Sequence, residues 1–154
     1  MKKVFLILMG LLLCSSVVAT DMQAVFTFGQ DRVRSELKYQ FTNNRTKFRF
    51  NIPLDSNEIV ANKNFSVLDT GDVKTMTLRG EYDSFTVNYT TKTYMERGET
   101  SFFVIDFSGF NADSINARVI LSSSSILKNR VGSSKPSVVP KPSSVETDGR
   151  RIMV

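Results

Sequence analysis

Residues 35–52 read SELKYQFTNNRTKFRFNI, and their alternation decides the fold. Leu37, Tyr39 and Phe41 are apolar at every second position, and so are Phe48, Phe50 and Ile52. Successive side chains of an extended chain point to opposite faces. Each apolar set therefore lines one face, while Lys38, Gln40, Lys47, Arg49 and Asn51 line the other. One face is buried and one is wet. Asn43, Asn44 and Arg45 separate the two runs, which predicts a β-hairpin turning there.

The same period recurs along the chain. Ala24, Phe26 and Phe28 form one stripe, and Phe85, Val87 and Tyr89 another. NFSVLD, residues 64–69, is a short strand that ends in Asp69, Thr70, Gly71 and Asp72. Lys74, Met76 and Leu78 share one side of the next strand, with Val73, Thr75 and Thr77 opposite. Phe103, Ile105 and Phe107 alternate too, and MERGETS, residues 95–101, carries Gly98 at a polar turn. That turn is expected to pair the 85–89 strand with the 103–107 strand. Ala117, Val119 and Leu121 complete the set. Many short strands divided by turn residues, with no amphipathic helix past the N-terminus, predict an all-β chain. The architecture expected is an antiparallel β-sandwich, immunoglobulin-like or related. At 154 residues the length suits one domain with a real core.

The N-terminus has the three-part layout of a secretory signal. Lys2 and Lys3 precede an apolar run from Val4 to Leu13, and Val17 and Ala19 place a cut between Ala19 and Thr20. The run is shorter than the roughly 20 residues of a spanning helix. Cys14 raises lipidation, but Leu13 stands where that processing wants a small residue, so Cys14 is expected to leave with the signal. The remaining chain then has no disulfide. The expected organisation is a signal helix over 1–19, the sandwich over 20–127, a Pro/Ser-rich linker over 128–147, and the start of a further strand or truncated second module over 148–154.

The net charge of +5 is not spread evenly. Residues 20–127 hold twelve basic and thirteen acidic groups, and the excess lies in the signal and the tail. A nucleic-acid footprint should lie on the folded body, so no nucleic-acid partner is expected. The basic and aromatic residues of KYQFTNNRTKFRF point the same way. Alternation sets Phe48 and Phe50 on one face and Lys47 and Arg49 on the other, whereas a stacking platform needs both together. Sugar platforms lean on exposed Trp, and the chain has none.

Histidine is absent, which excludes Ser-His and Cys-His nucleophilic sites as usually built, and zinc sites of the usual type. Asp69-Thr70-Gly71 resembles the active-site loop of retroviral-type aspartic proteases, where two carboxylates share a proton and activate water. Asp72 departs from that pattern, and the family's later glycine signature is missing. A solvated turn is the reading preferred, since Asp and Gly are the default turn residues. Asp55 with Glu58, or Asp69 with Asp72, could offer oxygens to a hard cation, but exposed loop charges account for them. No catalytic residue, metal site or cofactor is therefore expected. Asn44, Asn64 and Asn88 each head an Asn-x-Ser/Thr triplet and are glycosylation acceptors in a host that glycosylates.

The C-terminus carries a resemblance. Pro140, Pro142, Thr147, Asp148, Gly149, Arg150 and Arg151 match a Pro-rich stretch and a Thr-Asp-Gly-Arg-Arg hairpin. The region 21–154 resembles the extracytoplasmic domain of archaeal membrane-anchored proteins, some of which add a cytoplasmic winged-helix domain. It departs at LSSSS, residues 121–125, and in lacking a downstream membrane segment. The resemblance implies a gene product cut inside a strand. The rival reading is that Ile152 to Val154 pairs onto an existing edge and closes the domain.

The function expected is that of a non-catalytic exported β-sandwich, the ectodomain of a surface or membrane-anchored protein used for ligand sensing or adhesion. Its partner would be a protein or glycan ligand, and its membrane association would come through the signal or a missing C-terminal anchor. The alternatives are a small secreted hydrolase with a carboxylate pair around Asp69, and a structural subunit that self-associates by strand addition through residues 150–154.

Overall fold

The computed structural model describes residues 19–29, 32–92, 94–97, 100–103, 105, 107–122, 144, 146–147 and 151–153. The signal segment, most of the Pro/Ser-rich stretch and the Asp148-Gly149 turn lie outside them. The strands are β1 (Thr20–Phe28), β2 (Val33–Ile52), β3 (Asn57–Ala61), β4 (Phe65–Asp69), β5 (Lys74–Thr91), β6 (Tyr94–Arg97), β7 (Thr100–Phe103), β8 (Ser114–Ser122), β9 (Glu146–Thr147) and β10 (Arg151–Met153). One 3-10 turn, Phe107–Phe110, is the only helical element among the described residues. The chain is all-β, as its alternation requires.

The hairpin expected at Asn43–Arg45 does not form. β2 runs for 20 residues through that point. Both apolar runs pair instead with β5, Leu37 facing Val87 and Tyr39 facing Phe85, then Phe48 facing Leu78 and Phe50 facing Met76. Yet the Tyr39 and Phe50 rings lie 5.1 Å apart. Eleven residues of straight strand would separate them by roughly 36 Å. β2 therefore folds back on itself, out of the plane of the sheet. Buried positions are odd-numbered from Val33 to Phe41 and even-numbered from Phe48 to Ile52, and the intervening residues are largely exposed. The ladder to β5 is irregular between Gln40 and Lys47, and the irregularity re-aims the second half. Alternation located the buried faces correctly, but it cannot distinguish a hairpin from a strand bent over its own face.

β5 bends with it. Its register partners step from Tyr82 to Arg79 at the corner, and Gly80 takes φ +110° there. Two strands that cross from one layer to the other are a known way to build the corner of a sandwich. The larger layer runs β3, the C-terminal half of β5, the N-terminal half of β2, β1, β8, β10 and β9. The smaller layer holds the C-terminal half of β2, the N-terminal half of β5, and β4. Between them lies an aromatic core of Tyr39, Phe41, Phe48, Phe50, Tyr82 and Phe85, each at most 5% exposed.

Two further pairings differ from expectation. The 85–89 segment pairs with β2, not with residues 103–107. β6 and β7 do pair antiparallel with each other, but as a separate two-stranded sheet. In addition β1 and β8 run parallel, so the main sheet is mixed and not wholly antiparallel. A parallel neighbour needs a crossover, and the chain from β5 to β8 provides one through β6, β7 and the 3-10 turn. The start of β8 is pinned by Asp113, whose N–H donates to the Thr20 carbonyl at 2.9 Å and whose Oδ2 accepts the Thr20 N–H at 2.8 Å. The β8 stripe packs through Ile115 and Val119, while Ala117 is exposed. β10 pairs with β8 on one side and β9 on the other, so residues 151–153 lie inside this same sheet, one strand from its β9 edge.

The 3-10 turn closes the side where the smaller layer stops short. Phe107 meets Phe26 edge-on at 6.3 Å, and the buried Tyr39 hydroxyl donates to the Phe110 carbonyl at 2.8 Å. Burial, and then the neighbouring Tyr89, push the Tyr39 phenol far above its ordinary range, so it remains a donor. Tyr39→Phe leaves that carbonyl unsatisfied inside the core. The expected loss is about 1–2 kcal/mol in urea denaturation, with exchange of the 107–110 amides accelerated more than those of β2.

Candidate functional site

Register across the larger layer sets Val119, Phe26, Ser35 and Tyr89 side by side in one inward-facing row. Three of these side chains are bulky and Ser35 is small. The gap between the Phe26 and Tyr89 rings is the floor of a cleft of about 350 Å³ at one end of the sandwich. Ile52, Pro53 and Leu54, at the end of β2, roof it, with Asp72 and Val73 from the β4–β5 turn beside them. Ile105 and the 3-10 turn form the side wall. That wall packs closely, since a Cβ on Gly109 would lie 3.1 Å from the Asn51 Cβ. Asn111, at φ 54°, holds the wall down by donating its side-chain amide to the Arg49 carbonyl at 3.1 Å.

Ser35 is 1% exposed, and among the described residues its Oγ makes no hydrogen bond of good geometry. Buried hydroxyls normally have one, and a lone one costs free energy. Its cross-strand neighbour Tyr89 is buried as well. Burial raises the Tyr89 phenol to about 12, with a weak hydrogen bond from the Ser35 hydroxyl pulling it down and the Asp55 carboxylate pushing it up. Both hydroxyls are thus neutral donors at physiological pH. Asp55 is committed elsewhere, accepting from Thr91 Oγ1 and from the Lys92 N–H, each at 2.7 Å. Among the described lining residues Asp72 alone carries a charge. Such a cleft can desolvate an apolar body and meet one polar atom at its floor. Among the described residues it does not assemble an acid–base pair.

The residues singled out from sequence are scattered. Asn44 is exposed at the bend of β2, and Asn64 is exposed between β3 and β4. Asn88 is half-buried within β5, flanked by Glu36 on β2 and Val60 on β3. Ala19 precedes β1, and Thr20 is 3% exposed, its amide on the Asp113 carboxylate. A cut between them would put a charged α-amino group in that contact. Asp69 lies in an exposed hairpin turn, where Oδ1 accepts the Gly71 N–H at 2.9 Å and Oδ2 sits 3.5 Å from Lys74 Nζ. Glu58 pairs with Arg32 at 3.1 Å, away from the bonds that occupy Asp55. Among the described residues no cluster of three or more His, Cys, Asp or Glu is placed to hold a metal ion. Lys47 and Arg49 are exposed while Phe48 and Phe50 are buried. Sequence reasoning missed Ser35. The signal was there: in the inward positions 33, 35, 37, 39 and 41, serine interrupts Val, Leu, Tyr and Phe.

No family model matches the chain, and no curated protein does. Among solved structures it is similar to an M1 zinc metallopeptidase from Deinococcus radiodurans bound to a peptide substrate. The match has a TM-score of 0.40 and 11% identity, and covers 88% of this chain but 38% of that one. A likeness that slight carries no argument about activity. Among the described residues no helix is long and apolar enough to cross a membrane.

Proposed function

We propose that this chain is a non-catalytic, exported β-sandwich module, the ectodomain of a surface or membrane-anchored protein, that senses or adheres by holding a ligand in the end cleft. The observation that carries the reading is the buried Ser35 hydroxyl at the floor of that cleft, between two aromatic rings and only weakly satisfied by Tyr89. Export rests on the Lys2-to-Ala19 layout of the N-terminus. A binding module is favoured over a hydrolase because the Asp69 carboxylate serves its own turn and an adjacent lysine. The ligand class is an apolar group of modest size bearing one hydrogen-bonding atom.

Two probes of equal shape test it. In two-dimensional NMR, p-cresol should shift the amides of Ser35, Tyr89 and Gly109 saturably, and p-xylene should bind about tenfold more weakly, the worth of one buried hydrogen bond. Ser35→Val should abolish the difference between the two. Shifts that do not saturate, or that are equal for both probes, would sink the proposal.

A further inference from the structure

Six large apolar side chains are exposed among the described residues: Leu54, Val60, Phe65, Val67, Leu68 and Val73. All fall within residues 54–73, on β3, β4 and the turns beside them. Apolar exposure collected in one place marks an interaction surface more than the same residues scattered would. β3 and β4 both pair with β5, and among the described residues neither has a strand on its other side. The two edges are not equivalent. β3 is blunted by a register shift between Asn57 and Val60, by Glu58 at φ 53°, and by the Glu58–Arg32 ion pair. Bulges and charges of this kind are how natural sheets discourage edge pairing. β9, at the far end, has two residues. β4 keeps unbroken register with β5 through all five of its residues, and every one of them is exposed.

We infer that β4 is the docking edge for a second copy of this chain. The two β4 strands would lie antiparallel about a twofold axis through Ser66, joining the smaller layers into one sheet. An isologous contact must be self-complementary, and this register is. Phe65 faces the second copy's Val67, on the side that Leu78 and Met76 share. Asn64 faces the second copy's Leu68. Lys63 faces the second copy's Asp69, twice over by symmetry. Lys63 is exposed, and the Asp69 side chain is 50% open to solvent even with Lys74 beside it. A cation in the bend just before β4 and an anion at the strand's last residue thus flank it, placed for antiparallel pairing with itself. The contact itself is made by residues 63–69, none of which is among the described lining of the end cleft, although Leu54 and Val73 of the same apolar patch border it.

The test is the mass in solution, by sedimentation equilibrium at about 100 µM, of protein made in a host that adds no glycans. The wild type is expected to be a dimer. Lys63→Asp sets carboxylate against carboxylate and should give a monomer; Lys63→Asp with Asp69→Lys should restore the dimer. Leu68→Glu, at a side chain already 64% exposed, should give a folded monomer without touching either charge. A wild-type monomer at that concentration overturns the inference. So does a dimer whose mass none of these substitutions changes, or a folded double variant that stays monomeric.

Discussion

Phe85→Ala is expected to cost about 3–5 kcal/mol of folding stability, a large share of what holds a domain of this size together. The Phe85 ring stands 4.6 Å from Tyr39, 5.8 Å from Phe41, 5.7 Å from Phe48, 6.0 Å from Phe50 and 5.7 Å from Tyr82. Those five rings come from both halves of β2 and from the corner of β5. The side chain therefore fills the space between layers at the point where they diverge. Its loss leaves a cavity that β2 cannot close, because both of its halves are held to β5 by backbone hydrogen bonds. The urea midpoint measures the effect. Val60→Ala on β3 is the control, at 61% exposure and with an expected change under about 1 kcal/mol. Similar midpoints for the two variants would mean that the aromatic cluster is not the centre of stability.

Gly80→Ala should be the second largest effect, through the backbone alone. At φ +110° an L-residue is strained, yet an added Cβ would meet nothing within 4 Å. No steric contact contributes, so the expected loss of about 1–3 kcal/mol is the cost of the dihedral angle itself. Gly80 lies where β5 leaves one layer for the other, so the strain falls on the corner. Gly71→Asn is the comparison. Gly71 has φ +86° in an exposed turn, where asparagine is better tolerated and the turn can adjust. Equal thermal midpoints for Gly80→Ala and the wild type would show that the corner relaxes freely.

Much of this fold was legible in the residues, because burial follows period two. Leu37, Tyr39, Phe41, Phe48, Phe50, Ile52, Phe85, Val87 and Tyr89 all face inward as their spacing requires. Pairing was not legible in the same way. Asn43-Asn44 reads locally as a turn, and only the accompanying bend of β5 makes it a corner. The mistaken match of residues 85–89 to 103–107 has a similar origin. Two apolar strands around a glycine look like neighbours, and nothing local reveals that β2 competes for the same edge. The turn at Asp69 was readable because its chemistry is local, a carboxylate capping its own Gly71 N–H. The cleft was not, because a single serine in an inward row becomes a notch only when Phe26 and Tyr89 are set on either side of it by two different strand pairings.

Because β2 and β5 each belong to both layers and bend together, their shared corner is the spine of the sandwich. Parting the layers like the covers of a book would flex that corner, where the ladder is already irregular between Gln40 and Lys47, and leave the regular ladders on either side intact. The way to Ser35 in the closed sandwich is the end cleft that Pro53 and Gly109 help to line. Its width is set by the loop roof and the 3-10 wall, the parts of the fold that can shift without breaking the corner.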